Sequence, residues 1–100
     1  MATTSKVLFR GAASTSNTTL YTTPSATTTV VTNIVVANTS SSSITFDLSL
    51  DDVQIANDVS IAANDSITID LKQVLATTKT IKGLASATTV NFHISGVEIA

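Results

Sequence analysis

Cysteine is absent from this 100-residue chain, which excludes disulfides, thiol chemistry and cysteine-ligated zinc. Charge is scarce: five basic and seven acidic residues make up 12% of the chain and leave a net charge of −2. The cations Lys6, Arg10, Lys72, Lys79 and Lys82 are scattered, and only 4% of residues are aromatic. Nucleic-acid binding draws on clustered positive charge, commonly with aromatics on which bases stack, so no nucleic-acid partner is expected. No apolar run approaches the roughly 18 residues that suggest a membrane span, and no membrane partner is expected. The first residues, MATTSKVLFR, lack a hydrophobic signal core. The expectation is synthesis in a cytoplasm without signal-directed export.

Catalytic patterns are equally sparse. His93 is the single histidine, with no second histidine or cysteine to complete a transition-metal site. Asp51, Asp52 and Asp58 could meet in one loop region, but DDVQIAND lacks the D-x-[DN]-x-[DN]-G order of a calcium loop, and turn-forming aspartate explains it better. The nucleophile pattern G-x-S-x-G does not occur. The sequons at Asn17, Asn38 and Asn64 are read as coincidences of a chain rich in serine and threonine. The expectation is a non-enzymatic protein with no catalytic residue, cofactor or metal.

What the chain does contain is hydroxyl. Threonine and serine make up about a third of it, and 43% is hydrophobic. Threonine is β-branched, favours strands and faces water without charge. Period-two alternation marks half-buried strands. The clearest is Ser43–Leu50, with Ile44, Phe46, Leu48 and Leu50 inward. Others are Lys6–Gly11, Thr18–Thr23 before Pro24, Val53–Ala56, Val59–Ile61, the run carrying Ile67, Ile69 and Leu71, Thr80–Ala85, and Val90–Ile99. Asp51–Asp52 reads as a tight hairpin turn and Asn57–Asp58 as another turn. Only Lys72–Ala76 invites a helical turn. In the last strand the apolar parity switches at Ser95–Gly96, which predicts a β-bulge there. The fold class is all-β: a single antiparallel β-sandwich, jelly-roll-like, of about eight short strands and at most one helical turn near 72–76. It occupies residues 6–100, after a flexible arm at 1–5.

Thr27–Asn38 stands apart because it is apolar on both faces. Val30, Ile34 and Val36 share one parity; Val31, Val35 and Ala37 share the other. Only one face of a strand in a small sandwich meets the core. The other asks for a loop, an arm or a second subunit.

TLYTTP, then VTNIVVANT, SLDD, VSIAANDSITIDL and the closing NFHISGVEI together resemble the small β-sandwich structural proteins in the virions of tailed bacteriophages, of the cyanophage and marine-phage type. The likeness spans nearly all of residues 6–99; Asp51–Asp52 departs from it, where Asp-Gly is expected. It implies a virion protein assembled in the host cytoplasm, with no catalytic residues. The expected role is a capsid decoration or cement subunit bound to the major capsid protein; the alternative is a tail, baseplate or fibre component that binds a receptor or glycan. A homo-oligomer is expected, with a trimer as one form. Leu8, Val31 and Val35 are the candidate interface residues.

Overall fold

The computed structural model describes Ala2–Ala100. Eight strands follow one another: β1 (Thr3–Ala12), β2 (Thr18–Thr22), β3 (Thr28–Asn38), β4 (Ile44–Leu50), β5 (Val53–Ile61), β6 (Ser66–Leu75), β7 (Thr80–Ala85) and β8 (Val90–Ile99). They form two antiparallel four-stranded sheets, β1-β8-β3-β6 and β2-β7-β4-β5. Only β4 and β5 are consecutive neighbours in one sheet; every other connection crosses between sheets. This is the expected β-sandwich, jelly-roll-like in its strand order. The β4–β5 hairpin turns at Asp51 and Asp52, both at positive φ (54° and 60°). That is the geometry of the tight turn read from the sequence.

The core lies between the sheets. Val31, Ile34 and Val36 of β3 and Val90, Phe92 and Ile94 of β8 face Phe46 and Leu48 of β4 and Ile81 of β7. Phe46 and Phe92 meet edge-to-face across the layers, ring centres 6.2 Å apart. Such pairs gain from the positive ring edge meeting the negative ring face.

Several sequence expectations are corrected. Thr3–Ser5 are not a free arm: they pair with Val97–Ile99, and the backbones of Ala2 and Ala100 bond to each other. Met1 lies outside the described residues. No helical turn forms at 72–76. β6 runs through to Leu75, which is buried, while Val74 points to solvent. Its parity breaks because Leu71 and Lys72 together oppose the single residue Thr32 of β3. This is a bulge, and alternation alone misreads it as a change of structure. Val53–Ala56 and Val59–Ile61 are one strand, and Asn57–Asp58 is a bulge within it opposite Asp47.

The bulge expected at Ser95–Gly96 falls on other strands. β8 keeps one parity through Gly96, while β1 inserts Leu8 and β3 inserts Thr32 beside it. The glycine has a packing reason. A Cβ on Gly96 would collide with the Val30 carbonyl oxygen and lie 2.9 Å from Leu8 Cδ1. The second sheet repeats the device. The register of β2 shifts at Leu20, and Leu20 Cδ1 would lie 3.2 Å from a Cβ on Gly83 of β7. Leu48 Cδ2 and the Asp47 carbonyl oxygen of β4 come closer still, at 2.8 and 3.1 Å, so each glycine is crowded from both neighbouring strands, on one side by a leucine inserted into an edge strand.

Candidate functional site

The bulges decide where the candidate interface residues go. Thr32 resets the alternation of β3. Thr29 and Val31 face inward before it, and Ile34 and Val36 face inward after it. Val31 is therefore core, with no exposed surface, and Leu8 is core as well, 7% exposed over Gly96. Neither side chain is presented to a partner. Val35 does lie on the outer face of its sheet, half-buried between His93 and Thr68.

The same resetting brings a different set of residues outward. Val30 pairs with Val97 of β8 on one side and Val74 of β6 on the other. Val74 is 67% exposed, and Val7 of β1, one of the other exposed apolar residues, is 46% exposed. A belt of valines thus crosses the outer face of the first sheet near the chain termini. The apolar residues on the outer face of β3 are Val30 and Val35; Val74, within the segment 72–76 that the sequence reads as a helical turn plugging the core, is exposed instead.

A polar cluster closes one end between the sheets. Glu98 does not remain on the surface. It continues the inward parity of β8, and Tyr21 of β2 donates its hydroxyl proton to Glu98 Oε2. Tyr21 also bonds Thr29 Oγ1 at 2.8 Å, and Lys6 Nζ lies 3.3 Å from Glu98. The Tyr21 hydrogen bond and Lys6 hold the Glu98 carboxyl below its ordinary range against the opposing effect of desolvation. Burial, followed by the contact with Glu98, raises the Tyr21 phenol. The depressed carboxyl contributes stability above its unfolded pKa, lost as pH falls through the folded one. The raised phenol contributes below its unfolded pKa, lost as pH rises through the folded one. Tyr21→Phe is expected to cost about 1–2 kcal/mol at neutral pH. It should also flatten both the acid and the alkaline limbs of a plot of melting temperature against pH. Unchanged limbs would show that the contact does not couple the sheets.

The outer face of the second sheet carries a polar cleft of about 230 Å³ lined by Asn17, Asp47, Ser49, Asp52, Gln54, Lys82 and Leu84, among others. Its carboxylates have partners. Asp52 Oδ1 is 3.0 Å from Lys82 Nζ, and Asp47 Oδ1 accepts the Asp58 backbone N–H at 2.7 Å. Asp51 pairs instead with Lys79 at 3.7 Å. Asp51, Asp52 and Asp58 therefore do not converge, and among the described residues no three acidic or histidine side chains gather as metal ligands. His93 sits on the outer face of the first sheet, in register with Arg10 and Val35.

No family model matches the chain, and no curated protein matches it. Two crystal structures, both of a pentameric capsid protein isolated from metagenomic phage sequences, are similar to it. One, solved by iodide SAD phasing, gives a TM-score of 0.32 and the other 0.40, each at 16% identity. The alignments cover 94% of this chain and 59% and 60% of those chains, so it spans about three-fifths of their length.

Proposed function

We propose that this chain is a non-enzymatic virion structural protein, most simply a decoration or cement subunit that strengthens a phage head through protein–protein contacts. The observation that carries the reading is the strand order, β1-β8-β3-β6 over β2-β7-β4-β5. It is the double-sheet jelly-roll arrangement, used by viral capsid domains and by lectins. The valine belt supplies the contact surface: Val30, Val74 and Val97 offer apolar area that water covers poorly and a neighbouring subunit covers well. The rest of the exterior, rich in hydroxyls and poor in charge, suits a surface that resists nonspecific ionic association.

The test uses purified particles incubated with the chain. Val74→Asp, at a position already exposed, should leave the melting temperature unchanged and sharply reduce retention on heads. Undiminished retention removes the belt from the reading, and failure of the unaltered protein to bind heads overturns the reading itself. The polar cleft on the second sheet favours one alternative, a tail or fibre component that binds a glycan through amide and carboxylate hydrogen bonds. Tyr21, the single tyrosine, offers no stacking surface to a sugar, since it is buried against Thr29 and Glu98. Binding on a glycan array, abolished by Asp47→Ala, would favour it over the capsid role.

A further inference from the structure

The four edge strands of the sandwich are not equally protected. An open edge presents unpaired N–H and C=O groups, and proteins shield it with charge, bulges, proline or brevity. β1 carries Lys6, Arg10 and the inserted Leu8. β2 has five residues, a register shift and Pro24 just beyond its end. β5 loses register at two places. The first half of β6 is different. Before the bulge at Leu71–Lys72, Ser66–Asp70 keep unbroken register with Asn33–Ala37, with no charge before Asp70 and, among the described residues, no partner on their far side.

The inward residues at this edge are also incompletely covered. Ile67, Ile69 and Leu71 remain half-buried although they pack on the core, while Ile34 and Ile94, facing inward on β3 and β8, are fully buried. On the matching edge of the other sheet, Val53 is 67% and Ile55 41% exposed. The β5/β6 side of the sandwich is thus its apolar, open side.

We infer that two copies of this chain pair antiparallel along β6, about a two-fold axis at Thr68, joining their β1-β8-β3-β6 sheets into one continuous sheet. The segment is complementary to itself in that register. Thr68 opposes Thr68 of the second copy, Ile67 opposes Ile69, and Ser66 opposes Asp70. Threonine–threonine and β-branched pairs are among the favourable cross-strand neighbours, and no like charges face one another. The isologous contact closes at two copies and leaves no edge open to further growth there. It satisfies the free backbone groups of β6 and covers Ile67 and Ile69. A strand from an unrelated protein would use the same edge but has no reason to place residue 68 opposite itself.

This arrangement stands or falls independently of a virion role. The chain contains no cysteine, so a single introduced thiol reports on a single contact. Thr68→Cys, exposed and on the axis, should cross-link rapidly into a reducible dimer under mild oxidation. Ser60→Cys, equally exposed but on β5, should cross-link at least tenfold more slowly. Sedimentation equilibrium should find the unaltered chain dimeric. Thr68→Lys and Thr68→Glu should each weaken the dimer several-fold, and an equimolar mixture of the two should recover it as a heterodimer. A monomeric unaltered chain overturns the inference. So does a dimer in which both thiols cross-link at equal rates, or one indifferent to charge at residue 68.

Discussion

Replacing Phe92 by alanine is expected to lower stability by about 3–5 kcal/mol, and the melting temperature by roughly 15–30 °C for a domain of this size. Phe92 is fully buried near the start of β8, and its ring forms the edge-to-face contact with Phe46 of the opposite sheet. Truncation removes the transfer energy of the ring, leaves a cavity and abolishes the aromatic pair. Ile34, Val36 and Val90 also line the core, but they belong to strands held on both sides or tied by backbone bonds. They cannot collapse into the gap without breaking the ladder, so relaxation recovers little. Urea denaturation checks the prediction. Phe92→Leu, which keeps most of the volume, should cost less than half as much; equal costs would show that the cavity is not the cause.

Asn38→Ala is expected to cost about 2–4 kcal/mol, more than its size suggests. Asn38 is buried at the end of β3, 2% exposed. Its Nδ2 donates to the carbonyls of Ser42 at 2.8 Å and of Ile61 and Ala62 at 3.2 Å, and its Oδ1 accepts the Ser40 N–H at 2.9 Å. One amide therefore ties β3 to the turn before β4 and to the end of β5. Alanine deprives these backbone groups of their partner in a place water reaches poorly. Asn38→Asp is the sharper comparison. An ionised carboxylate there faces three carbonyl oxygens and has no proton to give, so it should be worse than alanine at neutral pH and recover as pH falls into the carboxylate range. Chemical denaturation at pH 7 and pH 4 separates the two.

Asn38 also shows where sequence reading stops. The asparagine followed by a run of serines carries the local signature of a side chain turning back to a backbone N–H two residues on. The bond to Ser40 is of this local kind. The bonds to Ile61 and Ala62 are not, because nothing local records which distant backbone groups will arrive at the same point. Glu98 and Tyr21 behave alike. No local pattern pairs them, yet they face each other between the sheets because β8 and β2 end at the same side of the sandwich.

Among the candidate interface residues, Val35 was read onto the outer face and lies there. Val31 and Leu8 were misplaced by one residue each, the residue inserted at a bulge. Gly96 did signal irregularity. A glycine in a strand means either a bulge in its own chain or close approach by another, and one sequence does not distinguish them. Here the Val30 backbone of β3 and the Leu8 side chain of β1 are what approach.

By itself the sequence determined the class of the fold. Alternation in β4 and the first half of β8, the Asp51–Asp52 turn and the lack of sustained helical periodicity are local properties, set by the two-residue repeat of a strand and the φ that aspartate tolerates. Only the tertiary structure decided which residues meet water. Facing depends on register, and register is set jointly by all strands of a sheet. An insertion of one residue inverts every position beyond it. The valine belt follows from such insertions, at Thr32 and at Leu71–Lys72; the part-buried Glu98 continues the uninterrupted parity of β8, and the open edge of β6 follows from the strand order.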